Sequence, residues 1–454
     1  MALQQRMLSR RQYLQDVGLV VHTGAVALLA SCRLRGGSTG EQAPEMAGGP
    51  QVTIWFFWRG PATSPYQYQA EEKVTAFTQR FPQYPVKLEI QPSDYATKLT
   101  AMYVAGDAPH VFYTDHQEVL GRIKQGMLQE VSSLAKGDRH YNQSEYVPQA
   151  LEAMTVQGKL YGLSSGNFTG GFWYNAALFR NAGLPTPPEL LRQGRWTWDT
   201  FLDVARTLTQ WEGSIPVQLG LGASVQHRLF LNSNGAVEVD DVKLPKKSGY
   251  DDPRAIDAVQ LWADTGLKHR VRAGWGENEF LQGKLAMYFA WTTRIAVLAP
   301  VQEFNWGMVP IPKGPAGTTP AGDFTFWGIT MSSLIKDERV RRGAWEWMKF
   351  YCGKEGQMIE GGKYMLSIPY VREAMEEWRK NLATTRFEHP EVIFESRDRY
   401  SFQRIMAPNQ AEIVKLQNDA LAPVWRGEAS AREGCLEAAR AVNEYLRLNP
   451  QTVP

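Results

Sequence analysis

Aromatic and charged side chains follow two short apolar runs of the sequence, in a combination that suits recognition of a sugar. Trp58 and Arg59 end the first run. Tyr113 ends the second run, and Asp115 and His116 come just after it. A flat ring can cover the C–H face of a pyranose, and a carboxylate can accept hydrogen bonds from two hydroxyl groups. Two alternatives stay open: Trp58 could be a core residue, and Asp115 could cap the helix that follows it.

A second aromatic and cationic pair lies in the middle of the chain. Residues 284–291 predict a strand that ends at Trp291, and Arg294 follows one helical turn later. Trp291 is the favoured candidate for the stacking platform, with a core position as the alternative. Arg294 could donate its fork of N–H groups to hydroxyl oxygens, or it could form a surface ion pair.

The elements around the first group alternate between strand and helix. Such a β-α-β-α-β order is typical of an α/β fold with a largely parallel sheet. In sheets of this kind the carboxyl ends of the strands meet at a ligand-binding crevice. The pattern predicts strands over 52–58, 86–90 and 110–113, and helices over 69–81 and 95–105.

Composition excludes several classes of protein. The 454 residues include 49 Lys and Arg against 47 Asp and Glu, a net charge of +2 that argues against a nucleic-acid binder. Fifteen Trp and 18 Tyr are compatible with a sugar site. Three cysteines cannot form a disulfide scaffold. Cys352 and Cys435 are expected to be buried thiols, although a bridge between them remains open.

No local catalytic motif appears in the chain. It has no zinc-ligand spacing, no P-loop and no Gly-x-Ser-x-Gly sequence. We therefore predict no catalytic residue, no metal and no cofactor. A secreted glycoside hydrolase stays open as an alternative, because its two carboxylates can lie far apart in a sequence.

The N-terminal residues have the layout of an export signal. Paired arginines at 10–11 precede a short apolar stretch at 17–30, which is too short to span a bilayer. The pair fits either a twin-arginine signal or the basic region of a general secretory signal. The sequence Leu29-Ala30-Ser31-Cys32 looks like a bacterial lipobox. We thus expect a signal peptide over 1–31, a lipid on Cys32 and a flexible tether over 32–50.

At several points the chain resembles the bacterial ABC-transporter extracellular solute-binding proteins of family 1, the carbohydrate-binding relatives of maltose-binding protein. Each matching segment is short, but seven occur in the family's order and together span nearly all of the chain after the lipobox. His110 departs from the pattern, because relatives usually carry Asp after that proline. The segments are 105–109, 158–163, 173–185, 197–201, 283–287, 310–315 and 425–430.

The resemblance implies a two-lobe periplasmic-binding-protein fold of type II. Each lobe would be a mostly parallel sheet flanked by helices, with the ligand cleft at the hinge. The first lobe would hold 51–163 and 320–366, and the second would hold 164–319 and 367–454. The chain would cross between the lobes near 160–167, 316–326 and 364–370.

The resemblance also adds site residues. Trp291 matches a stacking tryptophan of the family by position. The residues at or beside the crossings would line the cleft: Asn167, Trp173, Asp323, Phe324, Trp327 and Tyr364.

The implied function is that of a non-enzymatic binding protein. The chain would be a lipid-anchored monomer on the outer face of the cytoplasmic membrane. It would bind a carbohydrate, with aromatic richness favouring an oligosaccharide, and deliver it to the permease of an ABC importer. An alternative ligand in the same fold is a sugar phosphate, glycerol phosphate or its diester. That ligand would require Arg59 and Arg294 to converge in one pocket.

Overall fold

A computed structural model describes residues 51–61, 65–223 and 227–452. The expected signal peptide (1–31), the tether (32–50) and the lipidation site Cys32 lie outside these residues. Within the described ranges, no helix is both long enough and apolar enough to cross a membrane.

The strands form one large mixed sheet and a separate small hairpin. Along the sheet the strands follow the order β2-β1-β3-β11-β6-β9-β8-β7, and β4 with β5 forms the hairpin. The bounds are β1 Ile54–Arg59, β2 Val86–Gln91, β3 Val111–Asp115, β4 Thr155–Val156, β5 Lys159–Leu160, β6 Gly162–Asn175, β7 Gln210–Glu212, β8 Ile215–Leu221, β9 Leu285–Trp291, β10 Trp306–Val309, β11 Gly322–Met331, β12 Phe387–Glu388 and β13 Ser401–Phe402.

Helices cover both faces of this sheet and make up most of the C-terminal third. Short 3₁₀ turns lie at His116–Glu118, Gln143–Glu145 and Thr292–Arg294, and a π-helical turn lies at Met358–Lys363. The α-helices are α1 Tyr66–Arg80, α2 Tyr95–Ala105, α3 Val119–Lys124, α4 Ser132–Gly137, α5 Pro148–Glu152, α6 Ala176–Asn181, α7 Pro187–Arg192, α8 Trp198–Thr207, α9 His227–Ser233, α10 Pro253–Leu267, α11 Glu277–Leu281, α12 Ile295–Leu298, α13 Glu338–Cys352, α14 Lys354–Gln357, α15 Arg372–Leu382, α16 Glu391–Arg399, α17 Gln410–Trp425 and α18 Ala431–Leu448.

The β-α-β-α-β unit predicted at the start of the first lobe is confirmed. Strand β1 pairs in parallel with β2 on one side and with β3 on the other. Their carboxyl ends therefore lie at the same edge of the sheet, which brings Arg59 close to Asp115. His110, the departure from the family pattern, accepts a hydrogen bond at Nδ1 from the N–H of Trp55 at 3.0 Å.

Two long strands connect the halves of the molecule. The end of β11 from Trp327 to Met331 pairs with β3, while β6 pairs with β9 and β10 through its residues 170–175. Between these ends, β6 and β11 pair antiparallel with each other, with an irregular register at Trp327/Gly328. A third segment joins them, since Asn167 and Ile368 exchange two backbone hydrogen bonds of 3.0 and 3.2 Å. These segments fall where crossings are expected; the lobe boundaries themselves stay predictions.

The second half of the sheet differs from the expected mostly parallel arrangement. Strands β9 and β10 run antiparallel to β6, and β7 runs antiparallel to β8, whereas β8–β9 and β10–β12 are parallel. The physical reason is that β6 enters this half as a continuation of the crossing. Its direction is thus set by the first lobe.

Separate apolar cores lie on the two sides of the crossing strands. One core packs β1 and β3 against α13, with Phe56, Trp347 and Tyr351 in edge-to-face contact. Two further clusters fill the other side, one around Phe172 and Phe201 and one around Trp306. Cys352 lies in the first core and Cys435 in the second, both as free buried thiols. A bridge between them is therefore absent.

Candidate ligand-binding site

A cavity of about 400 Å³ lies where β1 and β3 end and β9 begins its turn into Thr292–Arg294. Residues from both sides of the crossing strands line it, so it occupies the cleft expected between the lobes. Seven of the residues predicted from the sequence meet here: Trp58, Arg59, Tyr113, Asp115, Trp291, Arg294 and Trp327.

Stacked aromatic rings form one wall of this main cavity. Trp327 lies between Tyr113 and Phe168, with ring centroids 5.1 and 6.0 Å away and interplanar angles of 19° and 7°. Such offset stacks hold large rings rigidly. Trp327 is almost fully buried, so it supports the wall more than it extends into the cavity.

Trp291 forms the facing platform. The guanidinium of Arg404 lies 4.5 Å from the centroid of its ring, and Phe289 packs edge-on at 6.0 Å. A cation on one face of an indole leaves the opposite face for a ligand. Trp291 is half-buried, which differs from the alternative of a fully enclosed core residue.

Polar groups at the ends of β1 and β3 bind one another. Arg59 donates to Asp115 Oδ2 at 3.2 Å and lies 3.5 Å from Glu118, while the Tyr113 hydroxyl donates to Asp115 Oδ1 at 2.7 Å. Burial lowers the pKa of Arg59, but the two carboxylates outweigh it and raise that pKa overall. The N–H of Asp115 also donates to Glu118 at 3.2 Å, so Asp115 begins the turn His116–Glu118 as the capping alternative proposed.

A buried ion pair supports the floor of the cavity. Lys73 of α1 lies 2.5 Å from Glu360 Oε2, which also accepts a hydrogen bond from the Ser165 hydroxyl at 3.1 Å. The Lys73 Nζ also lies 3.6 Å from the ring centroid of Tyr351. Burial lowers the pKa of Lys73, and Glu360 opposes this shift. Glu360 lines the cavity, and the negative charge of its carboxylate is already paired with the positive charge of Lys73.

Asp323 lies behind the cavity wall and binds an arginine that lines the cavity. Its side chain is fully buried and accepts hydrogen bonds from Arg228 and from the Nε and a terminal nitrogen of Arg404, the latter at 2.6 Å. Burial alone would raise the pKa of Asp323, but the two guanidinium groups outweigh it and hold that pKa below its usual value. Asp323 therefore fixes Arg404, which lines the cavity, and does not line the cavity itself.

The arginines of the main cavity are all paired with acids. Arg59 has Asp115, Arg404 has Asp323, and Arg294 forms an ion pair with Glu277 at 3.2 Å. Arg294 thus makes the ion pair that was its alternative, although it also lines the cavity. The three arginines therefore line one cavity, as the phosphate alternative requires, but their positive charges are balanced by these acids.

Besides Asp323, five residues predicted for the site lie outside the main cavity. Thr325 and Trp327 line it, so Phe324, the alternating residue of β11, belongs to the opposite face of the sheet. There Phe324 lines two further cavities, one with His116 and the other with Asn167. Trp173 is fully buried and donates to the carbonyl of Ala290, and the Tyr364 hydroxyl donates to Glu72 at 2.8 Å.

Sequence reasoning missed several residues that line the main cavity. Gln69 belongs to α1, which begins three residues earlier than predicted. Arg404 follows the two-residue strand β13, and Glu360 lies in the π-helical turn. Neither of these last two segments has a periodic pattern that the sequence would reveal. The missed residues with polar or aromatic side chains are Tyr66, Gln69, Gln117, Phe168, Thr293, Thr325, Glu360 and Arg404.

Known proteins share both the sequence pattern and the fold. The chain is 23% identical over 407 residues to a putative binding protein of Brucella abortus (strain 2308), covering 85% of this chain and 90% of the relative. Its fold matches an ABC substrate-binding protein of Listeria monocytogenes in complex with cycloalternan, with a TM-score of 0.75, 19% identity and coverage of 87% and 99%. It also matches UgpB of Mycobacterium tuberculosis in complex with glycerophosphocholine, with a TM-score of 0.72, 20% identity and coverage of 88% and 99%.

These likenesses agree with the fold class expected from the sequence. Two α/β lobes joined by several crossing segments, with a cavity at the hinge, are the architecture of type II periplasmic binding proteins. The family model described as bacterial extracellular solute-binding protein matches residues 60–358, more than half of the chain. The chain therefore belongs to the bacterial extracellular solute-binding protein family.

Proposed function

We propose that this protein is the substrate-binding component of an ABC importer and that its ligand is an uncharged carbohydrate. The observation that carries the proposal is the main cavity itself. It combines an indole face at Trp291 with polar groups that are held in place by their own partners. A sugar requires this combination of an apolar platform and fixed hydrogen-bonding groups.

The electrostatics favour a neutral ligand over a phosphate. Three arginines line the cavity, which is the arrangement that a phosphodiester ligand would require, and UgpB was solved with glycerophosphocholine. Each guanidinium already has a carboxylate partner, however, and Glu360 adds a further acid at the floor. An anionic phosphate group would have to compete with these acids for the guanidinium groups, whereas a hydroxyl group would not.

The same carboxylates argue against glycoside hydrolysis. Retaining and inverting glycosidases need one carboxyl group as acid and another as base or nucleophile. The acids that line the cavity are Asp115 and Glu360, and both are held in ion pairs by Arg59 and Lys73. Both carboxylates are therefore already bound by cationic partners, and neither is a free carboxyl group facing the ligand.

The test is a thermal-shift screen of the purified protein against mono-, di- and oligosaccharides and against glycerol phosphates. A ligand that binds the folded state alone stabilises it by about 2.7 kcal/mol at 100 times its Kd. We expect a neutral saccharide to raise the Tm, and we expect Trp291→Ala to weaken its binding about tenfold because one stacked ring is lost.

The matched control is Trp211→Ala, which removes a tryptophan that lies over Arg270 away from the cavity. Affinity should be unchanged in this variant. A shift with glycerophosphocholine alone, abolished by Arg59→Gln with Arg294→Gln, would replace the carbohydrate by the phosphate ligand. Release of a chromogenic aglycone from a glycoside would refute the binding-protein function.

The membrane anchor, export and permease belong to the same proposal. The lipobox at Cys32 supports a lipid anchor on the outer face of the cytoplasmic membrane, from which a monomer would deliver ligand to permease subunits. Replacement of Cys32 by Ser should abolish incorporation of radiolabelled palmitate and release the protein from membranes. Retention of the label would exclude Cys32 as the lipidated residue.

A further inference from the structure

The rear cavity, a space of about 730 Å³, lies on the face of β11 opposite the main cavity. Phe324 and Phe326 of β11 line it, whereas Thr325 and Trp327 line the main cavity. Because successive side chains of a strand point to opposite faces, the sheet itself separates the two spaces. The volume is within the range of about 300–1,000 Å³ that is typical of small-molecule sites.

Segments far apart in the sequence enclose the rear cavity. Val147 and Gln149 come from the segment at the start of α5, and Pro369 and Tyr370 come from the segment after Ile368. Helices α15 and α16 contribute every charged side chain of the lining. The cavity therefore combines an apolar surface on β11 with charged groups on two helices.

Aromatic rings form the apolar surface. Phe324 and Phe326 pack edge to face with ring centroids 4.9 Å apart, and the ring of Tyr370 lies 6.5 Å from that of Phe326. Phe324 is only partly buried, so part of its ring is accessible from the cavity. A planar ring can extend such a cluster in an edge-to-face or offset stacked arrangement. This surface therefore favours a ligand with a flat apolar ring.

The charged groups of the rear cavity leave one arginine without an acid. The Nε of Arg372 donates to Glu376 at 3.1 Å, and the Nε of Arg397 donates to Asp398 at 2.6 Å. Among the residues that the structure describes, the guanidinium of Arg379 forms neither an ion pair nor a hydrogen bond. Three arginines and two acids thus give the cavity one positive charge in excess.

Phe394 holds this charge beside a second one. The guanidinium groups of Arg379 and Arg397 lie 5.0 and 5.3 Å from the centroid of its ring. Two cations around one ring repel each other, and only Arg397 has a carboxylate partner, Asp398. An anion beside Arg379 would reduce this repulsion and accept charge-assisted hydrogen bonds from it.

We propose that the rear cavity binds a small aromatic anion, in which a planar ring system carries one carboxylate. The ring packs against Phe324 and Phe326, and the carboxylate accepts hydrogen bonds from the guanidinium of Arg379. One negative charge on the ligand matches the one positive charge in excess. The site is separate from the main cavity, so this inference goes beyond the proposed function and does not depend on it.

Isothermal titration calorimetry with naphthoate tests the site in the absence of any saccharide. Naphthalenemethanol is the neutral compound with the same ring, and octanoate is an anion without a ring. For the wild type we expect saturable binding of naphthoate, with an affinity about tenfold higher than that of either comparison compound. Each comparison compound lacks one of the two groups that the cavity recognises.

Two variants separate the contribution of the charge from that of the ring. Arg379→Gln replaces an exposed side chain. It should lower the affinity for naphthoate about tenfold and leave that for naphthalenemethanol unchanged, because only the anion binds the guanidinium. Phe324→Leu should weaken both compounds about threefold, because it removes a ring contact that they share.

Lys380→Gln is the matched control. It removes the next charge along α15, which is 75% exposed and paired with Glu377, and it should keep the affinities of the wild type for all three compounds. The Tm of Arg379→Gln without ligand should equal that of the wild type, which shows that a loss of naphthoate binding does not come from a damaged fold.

Several outcomes would overturn the rear site. They are equal affinity of the wild type for naphthoate and naphthalenemethanol, and unchanged naphthoate binding in Arg379→Gln. Loss of naphthoate binding in Arg59→Gln with Arg294→Gln, but not in Arg379→Gln, would place the anion in the main cavity instead. Octanoate that binds as tightly as naphthoate would exclude an aromatic ligand. No saccharide takes part in these titrations, so the carbohydrate function is decided separately by the thermal-shift screen.

Discussion

Asp323 shows why the role of a residue depends on its partners. It was predicted to contact ligand because it lies beside an expected crossing. The structure places its carboxylate behind Arg404, where it fixes that guanidinium against Trp291. The expected crossing correctly indicated that this segment lies close to the cavity. It could not show that the ligand-facing group would be Arg404, because pairing of β13 with β11 brings in a residue 81 positions away.

Replacement of Asp323 by Asn should reduce the free energy of unfolding by roughly 3 kcal/mol at neutral pH, because two buried guanidinium groups lose their counter-charge. The pKa of Asp323 lies below its unfolded value of about 3.9, so its ion pairs stabilise the fold above that value. They are lost as the pH falls through the lower pKa of the folded state. Denaturant unfolding at a series of pH values should give a constant difference from pH 5 to 8 and a smaller one below about pH 4.

Asp419→Asn provides the comparison, because Asp419 is 62% exposed and paired with Lys415 on the surface of α17. An exposed pair contributes at most about 1 kcal/mol. A difference between wild type and Asp323→Asn that grows towards acid pH would show that the ion pairs do not stabilise the folded state.

The elements near the start of the chain were predicted well because their signals are local. Strands β1 to β3 are short apolar runs separated by helices, and their pairing follows from the order alone. The 14 residues of β6 give a weaker local signal, since its glycines interrupt the pattern of a strand. Pairing with β11 stabilises β6 as one continuous strand despite its glycines. Because β11 lies about 160 residues further along the chain, local sequence patterns cannot reveal this pairing.

Gly328 occupies the irregular position in the ladder between β6 and β11. A Cβ at this residue would collide with the carbonyl oxygen of Leu163 on the neighbouring strand. Gly328→Ala should therefore lower the free energy of unfolding by about 2 kcal/mol, because the strands must separate locally. Thermal unfolding followed by circular dichroism measures the effect.

Gly137→Ala is the control, because a Cβ there would meet open space at the end of α4. Its Tm should stay the same or rise slightly. Equal stability of Gly328→Ala and the wild type would show that the ladder tolerates a side chain at this point.

At the scale of the whole molecule, the cores lie apart and the connection runs through β6, β11 and the segment at Ile368. We therefore expect ligand binding to favour a closed arrangement, because such an arrangement places more protein around the ligand than an open one. The resemblance to a family predicted this architecture. The alternation of helices and strands alone did not predict it, because that alternation is common to many α/β folds.

Small-angle X-ray scattering should detect this closure. A saturating concentration of the ligand found in the thermal-shift screen should decrease the radius of gyration of the wild type. Trp291→Ala at the same concentration should show a smaller decrease, in proportion to its lower occupancy. An unchanged radius of gyration in protein that calorimetry shows to be saturated would exclude hinge closure.

The late position of β11 has a consequence for synthesis of the chain. Strand β3 ends at Asp115, but its partner β11 and the packing helix α13 come roughly 200 residues later, which a ribosome translates in about 10 to 40 s. Until then the first core lacks Trp347 and Tyr351, and its central strand has an open edge. A nascent chain of 160 residues is therefore expected to remain sensitive to protease and to bind chaperones, and it acquires protection after Cys352 has left the ribosome.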